Sequence, residues 1–255
     1  MVLWLMITKY KELIMSQLKL ESTQYMLEQA KSAWLVWNTM DIVERVELIS
    51  KWSELLSQQR DVDLMPAQMA DFHTKQALSL IGEPLTMPGP TGESNILSAS
   101  GRGTFVIIAE KNVPSTALVA MISCALVTGN SIVIEQKSEY QEIIDSLLWI
   151  FSFSNIEESV VQVIEPKNVD SLISQPAISG VAYVGHEGRA IDLNRTLAKR
   201  EGQIAQLIIE TDLDQLACVR DEHLLLHFIT EKTQTINVTA VGGNASLLAL
   251  GSGDL

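Results

Sequence analysis

Short apolar segments alternate with helix-length segments between residues 104 and 210, and this alternation restricts the possible folds more than any other feature. Runs of this kind, rich in β-branched residues, are typical of strands covered on both faces. The predicted strands are TFVIIA (104–109), SIVIE (131–135), VVQVI (160–164), GVAYV (180–184) and IAQLIIE (204–210). The predicted helices between them are 115–127, 138–153, 167–174 and 187–200. The sequence therefore predicts an α/β fold, a Rossmann-like domain with a doubly wound parallel sheet.

The residues that precede this domain have a helical pattern, which ends in a segment rich in glycine and proline. Apolar residues recur at helical spacing from residue 21 to about residue 80, and either Thr39 or Asp41 is the expected N-cap of the second helix. Residues 82–103 contain five glycines and three prolines. We expect an irregular crossing there, with a short strand at 94–99.

The residues that follow the domain predict an extended tail. Residues 224–250 form one long or two short extended segments that end in a Gly-Gly turn, with Leu226, Phe228 and Ile236 on one face. Such a tail is either an edge strand of its own domain or an arm that adds to a partner's sheet.

These patterns divide the chain into four parts. The division is an N-terminal extension (1–20), a helical entry segment with the Pro/Gly-rich crossing (21–100), the Rossmann-like domain (101–215) and an extended β tail for oligomerisation or docking (216–255).

Composition excludes several classes of protein. The 31 acidic and 18 basic residues give a net charge of -13, which argues against a nucleic-acid partner. The two cysteines form no disulfide framework, which suits a reducing compartment. The apolar stretch 116–127 is too short to span a bilayer. We expect a cytoplasmic protein without a membrane span, whose natural start is Met1 or Met15.

The residues that could form a phosphate or metal site are better explained by structural roles. Gly185-His186-Glu187-Gly188 lies between a strand and a helix, where backbone amides could bind a phosphate, but its spacing favours a tight turn. His223 and His227 would lie about 13 Å apart in an extended segment, so no metal site is expected. His73 and His186 are isolated, and we expect them to be structural or solvated.

Neither cysteine has the surroundings of a nucleophile. Cys124 lies in the most apolar helix, where burial raises a thiol pKa and makes it inert. Cys218 has acidic residues nearby and no feature that would lower its pKa.

Four longer segments resemble one known family. They are SAWLVWNTMDIVER (32–45), LTMPGPTGESN (85–95), NRTLAKREGQIAQLIIET (194–211) and INVTAVGGNASLLAL (236–250). Together they resemble the aldehyde dehydrogenase superfamily, and more closely the C-terminal domain of long proline utilization A (PutA) proteins. The resemblance covers residues 24–250.

The resemblance implies where the family's functional residues would fall. Asn112 takes the place of the oxyanion-hole asparagine and Glu210 that of the general-base glutamate, both as relic positions. Glu135 replaces the lysine that holds the adenosine ribose, and the turn near the pyrophosphate becomes Tyr183-Val184-Gly185-His186. The degenerate cofactor positions are thus Glu135, Val184, Gly185 and His186, and no cofactor is expected.

The resemblance also implies what is missing. In the family, a second domain with the cysteine nucleophile follows the glutamate, whereas here residues 213–223 lead directly to the tail and Cys218 lacks the G-Q context. The expected function is a non-catalytic domain of proline catabolism. It would dock through residues 224–250 on a glutamate semialdehyde (pyrroline-5-carboxylate) dehydrogenase or a PutA-type protein, and support closure of its active site or channel.

Two alternatives remain open at this point. One is an NAD-dependent aldehyde (pyrroline-5-carboxylate) dehydrogenase in its own right, with NAD as its cofactor. The other is a self-contained homodimer that uses the tail as an intersubunit arm.

Overall fold

A computed structural model describes residues 22–58, 63–90 and 92–237. Its helices are α1 (22–37), α2 (Ile42–Ser57), α3 (Met65–Ile81), α4 (Ser115–Val127), α5 (Gln141–Phe153), α6 (Pro166–Ile173) and α7 (Glu187–Ala198). Its strands are β1 (Leu85–Met87), β2 (Glu93–Gly101), β3 (Thr104–Ala109), β4 (Ser131–Glu135), β5 (Val161–Ile164), β6 (Gly180–Val184), β7 (Gln206–Glu210) and β8 (Ile229–Asn237).

The predicted parallel sheet is confirmed. Its strand order is β5-β4-β3-β6-β7, and every neighbouring pair is parallel. Strand β3 is central and buried along its whole length. Its side chains alternate between two cores: Phe105 and Ile107 pack with α2–α5, while Val106 and Ile108 pack with α6 and α7. This alternation is the expected consequence of helices on both faces of one sheet.

The entry helices attach to the sheet through α4. All residues of α4 after Ser115 are buried. The indole N–H of Trp37 donates to the Leu126 carbonyl at 3.1 Å, and the Arg45 Nε donates to the Val127 carbonyl at 3.0 Å. Asp41 is the N-cap of α2, because its carboxylate accepts from the Val43 amide at 2.7 Å. Of the two predicted caps, Asp41 is therefore the correct one.

The Pro/Gly-rich crossing contains more regular structure than predicted. Strand β2 covers nine residues, rather than the short strand expected at 94–99, and it pairs with β1 on one side. On the other side it pairs antiparallel with β8 along its whole length, from Glu93 opposite Asn237 to Gly101 opposite Ile229. The result is a three-stranded sheet, β1-β2-β8, in which β8 is an edge strand among the residues that the structure describes.

The prediction for the first part of the tail is wrong. Leu224–Phe228 is a 3₁₀ turn rather than an extended segment. Phe228 is fully buried and its ring centroid lies 4.9 Å from that of Phe105, whereas Leu226 and Ile236 are partly exposed. A run of consecutive apolar residues without alternation favours burial in a core over one face of a strand. The remainder of the tail, including the Gly-Gly turn, and the N-terminal extension lie outside the described residues.

No helix within 22–58, 63–90 or 92–237 has both the length and the apolar character that crossing a bilayer requires.

Candidate functional site

The candidate site is the crevice at the carboxyl ends of β3 and β6. The chain runs from β3 outward to β4 and β5, then crosses back to β6 and continues to β7. The direction of the winding thus reverses between β3 and β6, and open α/β sheets bind their ligands at such a point. Glu110 follows β3, Gly185 and His186 follow β6, and Glu210 ends β7. These residues decide what the crevice can accept.

The turn after β6 is tight and filled by side chains. Gly185 donates its N–H to the Glu210 carbonyl at 3.0 Å, and His186 is the N-cap of α7. The Tyr183 hydroxyl donates to the His186 carbonyl at 2.9 Å. A Cβ on Gly185 would lie 2.4 Å from this hydroxyl and 2.6 Å from the Glu110 Cγ, so a larger residue there would displace one of these side chains. The geometry agrees with the tight strand-to-helix turn favoured from the sequence.

The carboxylate of Glu110 lies at the start of α7. Its Oε2 accepts from the His186 amide at 3.1 Å and lies 3.9 Å from the His186 Nε2. This residue was not predicted from the sequence. A carboxylate directly after the central strand was the available signal, but its partner is 76 residues away in the chain.

Glu135 has a partner that was also missed. Its Oε1 lies 2.9 Å from the Lys137 Nζ, and the two side chains are 10% and 18% exposed. A lysine two residues beyond the end of a strand can project to the same side as the last strand residue. Lys137 therefore lies beside Glu135, the residue that, by the resemblance, replaces the family's lysine.

The crevice does not fit a dinucleotide. The amide of His186 at the start of α7 already donates to Glu110, and the amide of Gly185 donates to β7. A phosphate at the His186 amide would therefore lie against the Glu110 carboxylate. Glu110 after β3 and Glu187 at the start of α7 have the same sign as a phosphate, and Arg189 in the same turn is paired with a carboxylate on α6.

Glu210 holds the loop that follows β7. Its side chain is 2% exposed. Its Oε1 accepts from the Asp212 amide at 2.9 Å, and its Oε2 accepts from the amides of Cys218 and Val219 at 2.8 and 3.1 Å. The carboxylate thus holds residues 212–219 in place through these hydrogen bonds.

Asn112 lies apart from Glu210. Its φ is +61°, its residue is exposed, and its amide donates to the Glu139 Oε1 at 2.7 Å. Because β6 separates β3 from β7, the ends of those two strands lie about 10 Å apart. The structure brings Glu210 and Cys218 together, and it places Asn112 on the β4 side of the crevice.

The histidines form no metal site among the described residues. His223 precedes the 3₁₀ turn that contains His227, so the extended spacing predicted for this pair is wrong. No group of three or more His, Cys, Asp and Glu side chains within the described ranges could hold an ion. His73 is structural, since its buried Nε2 lies 2.8 Å from the Val219 carbonyl.

Cys218 should react slowly with an alkylating reagent. Burial, Glu210 and Asp221 raise its pKa to about 11, so roughly one thiol in a thousand is ionised at pH 8. We expect iodoacetamide to modify Cys218 about 100-fold more slowly than free cysteine, as measured by mass spectrometry of the native protein. Cys124, whose pKa burial also raises, is an internal control for a fully buried thiol. A rate close to that of free cysteine would contradict the inert assignment.

Known proteins resemble the chain in both sequence and structure. The profile of the aldehyde dehydrogenase family matches residues 59–211. The bifunctional protein PutA of Rhizobium meliloti is 29% identical over 176 residues, which are 68% of this chain and 13% of PutA. The N-succinylglutamate 5-semialdehyde dehydrogenase of Novosphingobium aromaticivorans is 23% identical over 212 residues, which are 74% of this chain and 44% of that enzyme.

Solved structures also resemble this chain. A mutant of Bradyrhizobium japonicum proline utilization A superposes with a TM-score of 0.67 at 25% identity, over 75% of this chain and 22% of that one. The chain therefore spans less than half the length of the relatives it matches. The matched profile, which runs from residue 59 to the end of the parallel sheet, shows that the chain belongs to the aldehyde dehydrogenase family.

Proposed function

We propose that this chain is a non-catalytic domain of PutA-type proline catabolism that docks on a catalytic glutamate semialdehyde dehydrogenase. The observation that carries the proposal is the three-stranded sheet β1-β2-β8, whose edge strand β8 is exposed from Glu231 to Asn237. A sheet edge presents backbone N–H and C=O groups to which a partner strand can add. Leu85, Met87 and Ile236 are exposed apolar side chains on the same sheet.

The arrangement around Glu210 supports the absence of catalysis. A general base must be able to reach the proton that it removes. Here the carboxylate is buried and accepts three backbone hydrogen bonds from the following loop. The neighbouring thiol of Cys218 has a raised pKa, so the pair contains no ionised nucleophile at neutral pH.

A second candidate is an NAD-dependent aldehyde dehydrogenase in its own right. The observation that favours it is the proximity of Glu210 and Cys218, whose amide-to-carboxylate distance is 2.8 Å. Calorimetric titration with NAD and an assay with glutamate semialdehyde test this candidate. We expect neither binding nor turnover, and turnover that is lost in Cys218→Ala would establish the enzyme instead.

Docking should depend on β8. Ile236 on β8 and Ile191 on α7 are each 43% exposed, which makes them a matched pair. We expect Ile236→Lys to weaken binding to the catalytic dehydrogenase at least tenfold, because it places a charge in the buried part of the interface. Ile191→Lys should bind as the wild type does, and removal of residues 233–250 should abolish binding. The measurement is calorimetric titration of the dehydrogenase with each purified variant.

Two results would contradict the docking proposal. Equal affinity of the wild type and the truncated chain would remove the role of the tail. A stable dimer of the chain alone that Ile236→Lys dissociates, seen by sedimentation, would favour the self-contained homodimer.

A further inference from the structure

Helix α7 has no cap from its own N-cap residue. His186 makes no side-chain capping hydrogen bond, whereas the α2 N-cap Asp41 accepts from the Val43 amide. The first amides of a helix carry partial positive charge and need an acceptor. In α7 the acceptor comes from a different element, because the Glu110 carboxylate reaches the His186 amide from the end of β3.

The position of Glu110 is fixed by the sheet. Its backbone N–H donates to the Val184 carbonyl at 2.9 Å, which continues the pairing of β3 with β6 by one residue. Its side chain is 28% exposed and lies against Gly185, where a Cβ would come within 2.6 Å of its Cγ. The carboxylate therefore lies at the reversal point of the sheet, in contact with the amide of the N-cap residue of the following helix.

A phosphate would need this same position. In open α/β sheets a bound phosphate lies at the N-terminus of a helix beside the reversal point, and it accepts from the first amides. We propose that Glu110 is an internal substitute for that phosphate: its carboxylate caps α7 and occupies the anion position of the crevice. The proposal deepens the non-catalytic function proposed above and rests on it.

The proposal predicts that an added anion can replace the missing carboxylate. Glu110→Ala removes the cap and opens space beside Gly185, so we expect the unfolding midpoint of the full chain to fall by about 2–4 °C. Millimolar pyrophosphate should then raise the midpoint of Glu110→Ala by about 2 °C. The wild type should not respond, because its own carboxylate fills the position.

Two variants serve as controls. Glu110→Gln keeps the volume and an acceptor oxygen but removes the charge, so its midpoint should fall less than that of Glu110→Ala and should not respond to pyrophosphate. Asp41→Ala removes the cap of α2, which lies outside the crevice, and it should lose stability without recovery. Calorimetric scans of the four proteins, with and without pyrophosphate, give all of these values.

Each outcome decides the proposal. Recovery of Glu110→Ala alone supports it. An unchanged midpoint in Glu110→Ala, no recovery, or equal responses of Glu110→Ala and Asp41→Ala would overturn it and leave the docking function standing. Binding of NAD by the wild type would overturn the proposed function as well, so the two failures can be told apart.

Discussion

Replacing Glu210 with alanine should lower the free energy of unfolding by about 3 kcal/mol. Hydrogen bonds to a charged group contribute about 1.5–3 kcal/mol each when measured singly, and three bonds to one carboxylate are not additive. The carboxylate is buried, and its loss leaves the amides of Asp212, Cys218 and Val219 without their acceptor. Urea unfolding at pH 7 measures the change.

The loop that Glu210 holds is strained, which makes the anchor more important. Leu216 has a φ of +54°, a conformation that costs a bulky residue about 1–3 kcal/mol. Burial of its side chain and the hydrogen bond from its amide to the Asp212 carbonyl at 2.8 Å offset this cost. The hydrogen bond depends on the position of Asp212, whose amide donates to the Glu210 Oε1. Loss of the carboxylate should therefore release residues 212–219 together.

Cys218 provides a second measurement for the same variant. Glu210 contributes to the raised pKa of the thiol, and the loop buries it. Alkylation of Cys218 should therefore be faster in Glu210→Ala than in the wild type. Asp214→Ala, which changes an exposed acid in the same loop, should alter neither stability nor alkylation. If Glu210→Ala keeps full stability but loses dehydrogenase turnover, the residue is a catalytic base, and the proposal that it stabilises the loop 212–219 is wrong.

The central sheet was predictable because its signals are local. Each of β3 to β7 is a short apolar run, and each intervening helix has the length needed to cross back over the sheet. The turn at Gly185 was also predictable, since a glycine between a strand and a helix is a local signal. Asp41 was named as a possible cap for the same reason.

The remaining features depend on contacts that are distant in sequence. The pairing of β2 with β8 joins residues 93–101 to residues 229–237 and explains why a glycine- and proline-rich segment forms a nine-residue strand. Likewise, the bonds from Glu110 to His186 and from His73 to Val219 join residues 76 and 146 positions apart. Periodicity and spacing contain no information about such pairs. The 3₁₀ turn at Leu224–Phe228 was missed because its apolar run was interpreted as a strand, whereas it anchors Phe228 in the core.

The chain should lose stability between pH 7 and pH 5 because of one histidine. Burial lowers the pKa of His73 from 6.5 to about 4, against opposing effects of the Val219 carbonyl and Asp221. The folded pKa lies below the unfolded one, so the unfolded chain binds more protons as the pH falls below 6.5. Stability from the neutral ring is therefore complete above pH 6.5 and declines toward pH 4. At pH 5 the loss is about 2 kcal/mol.

The environment of His73 explains the direction of this shift. Its Nε2 lies at hydrogen-bond distance from the Val219 carbonyl, while its Nδ1 is buried and has no partner among the described residues. A second proton would place a charged donor on Nδ1 without an acceptor, which is costly in a buried site. The neutral ring, with its proton on Nε2, is the form that the fold accommodates.

The test compares urea unfolding at pH 7 and pH 5 in two variants. His73→Gln keeps a donor near the Val219 carbonyl but cannot gain a proton, so it should lose about 2 kcal/mol less than the wild type between these two pH values. His227→Gln, which removes an exposed histidine from the 3₁₀ turn, should retain the wild-type loss. Equal losses in all three proteins would show that His73 does not cause the pH dependence. The Val219 amide donates to Glu210, and the Val219 carbonyl accepts from His73. The variants His73→Gln and Glu210→Ala therefore both act on the residue that joins α3 to the end of β7. Their effects on stability at pH 7 should for that reason be smaller in combination than in sum.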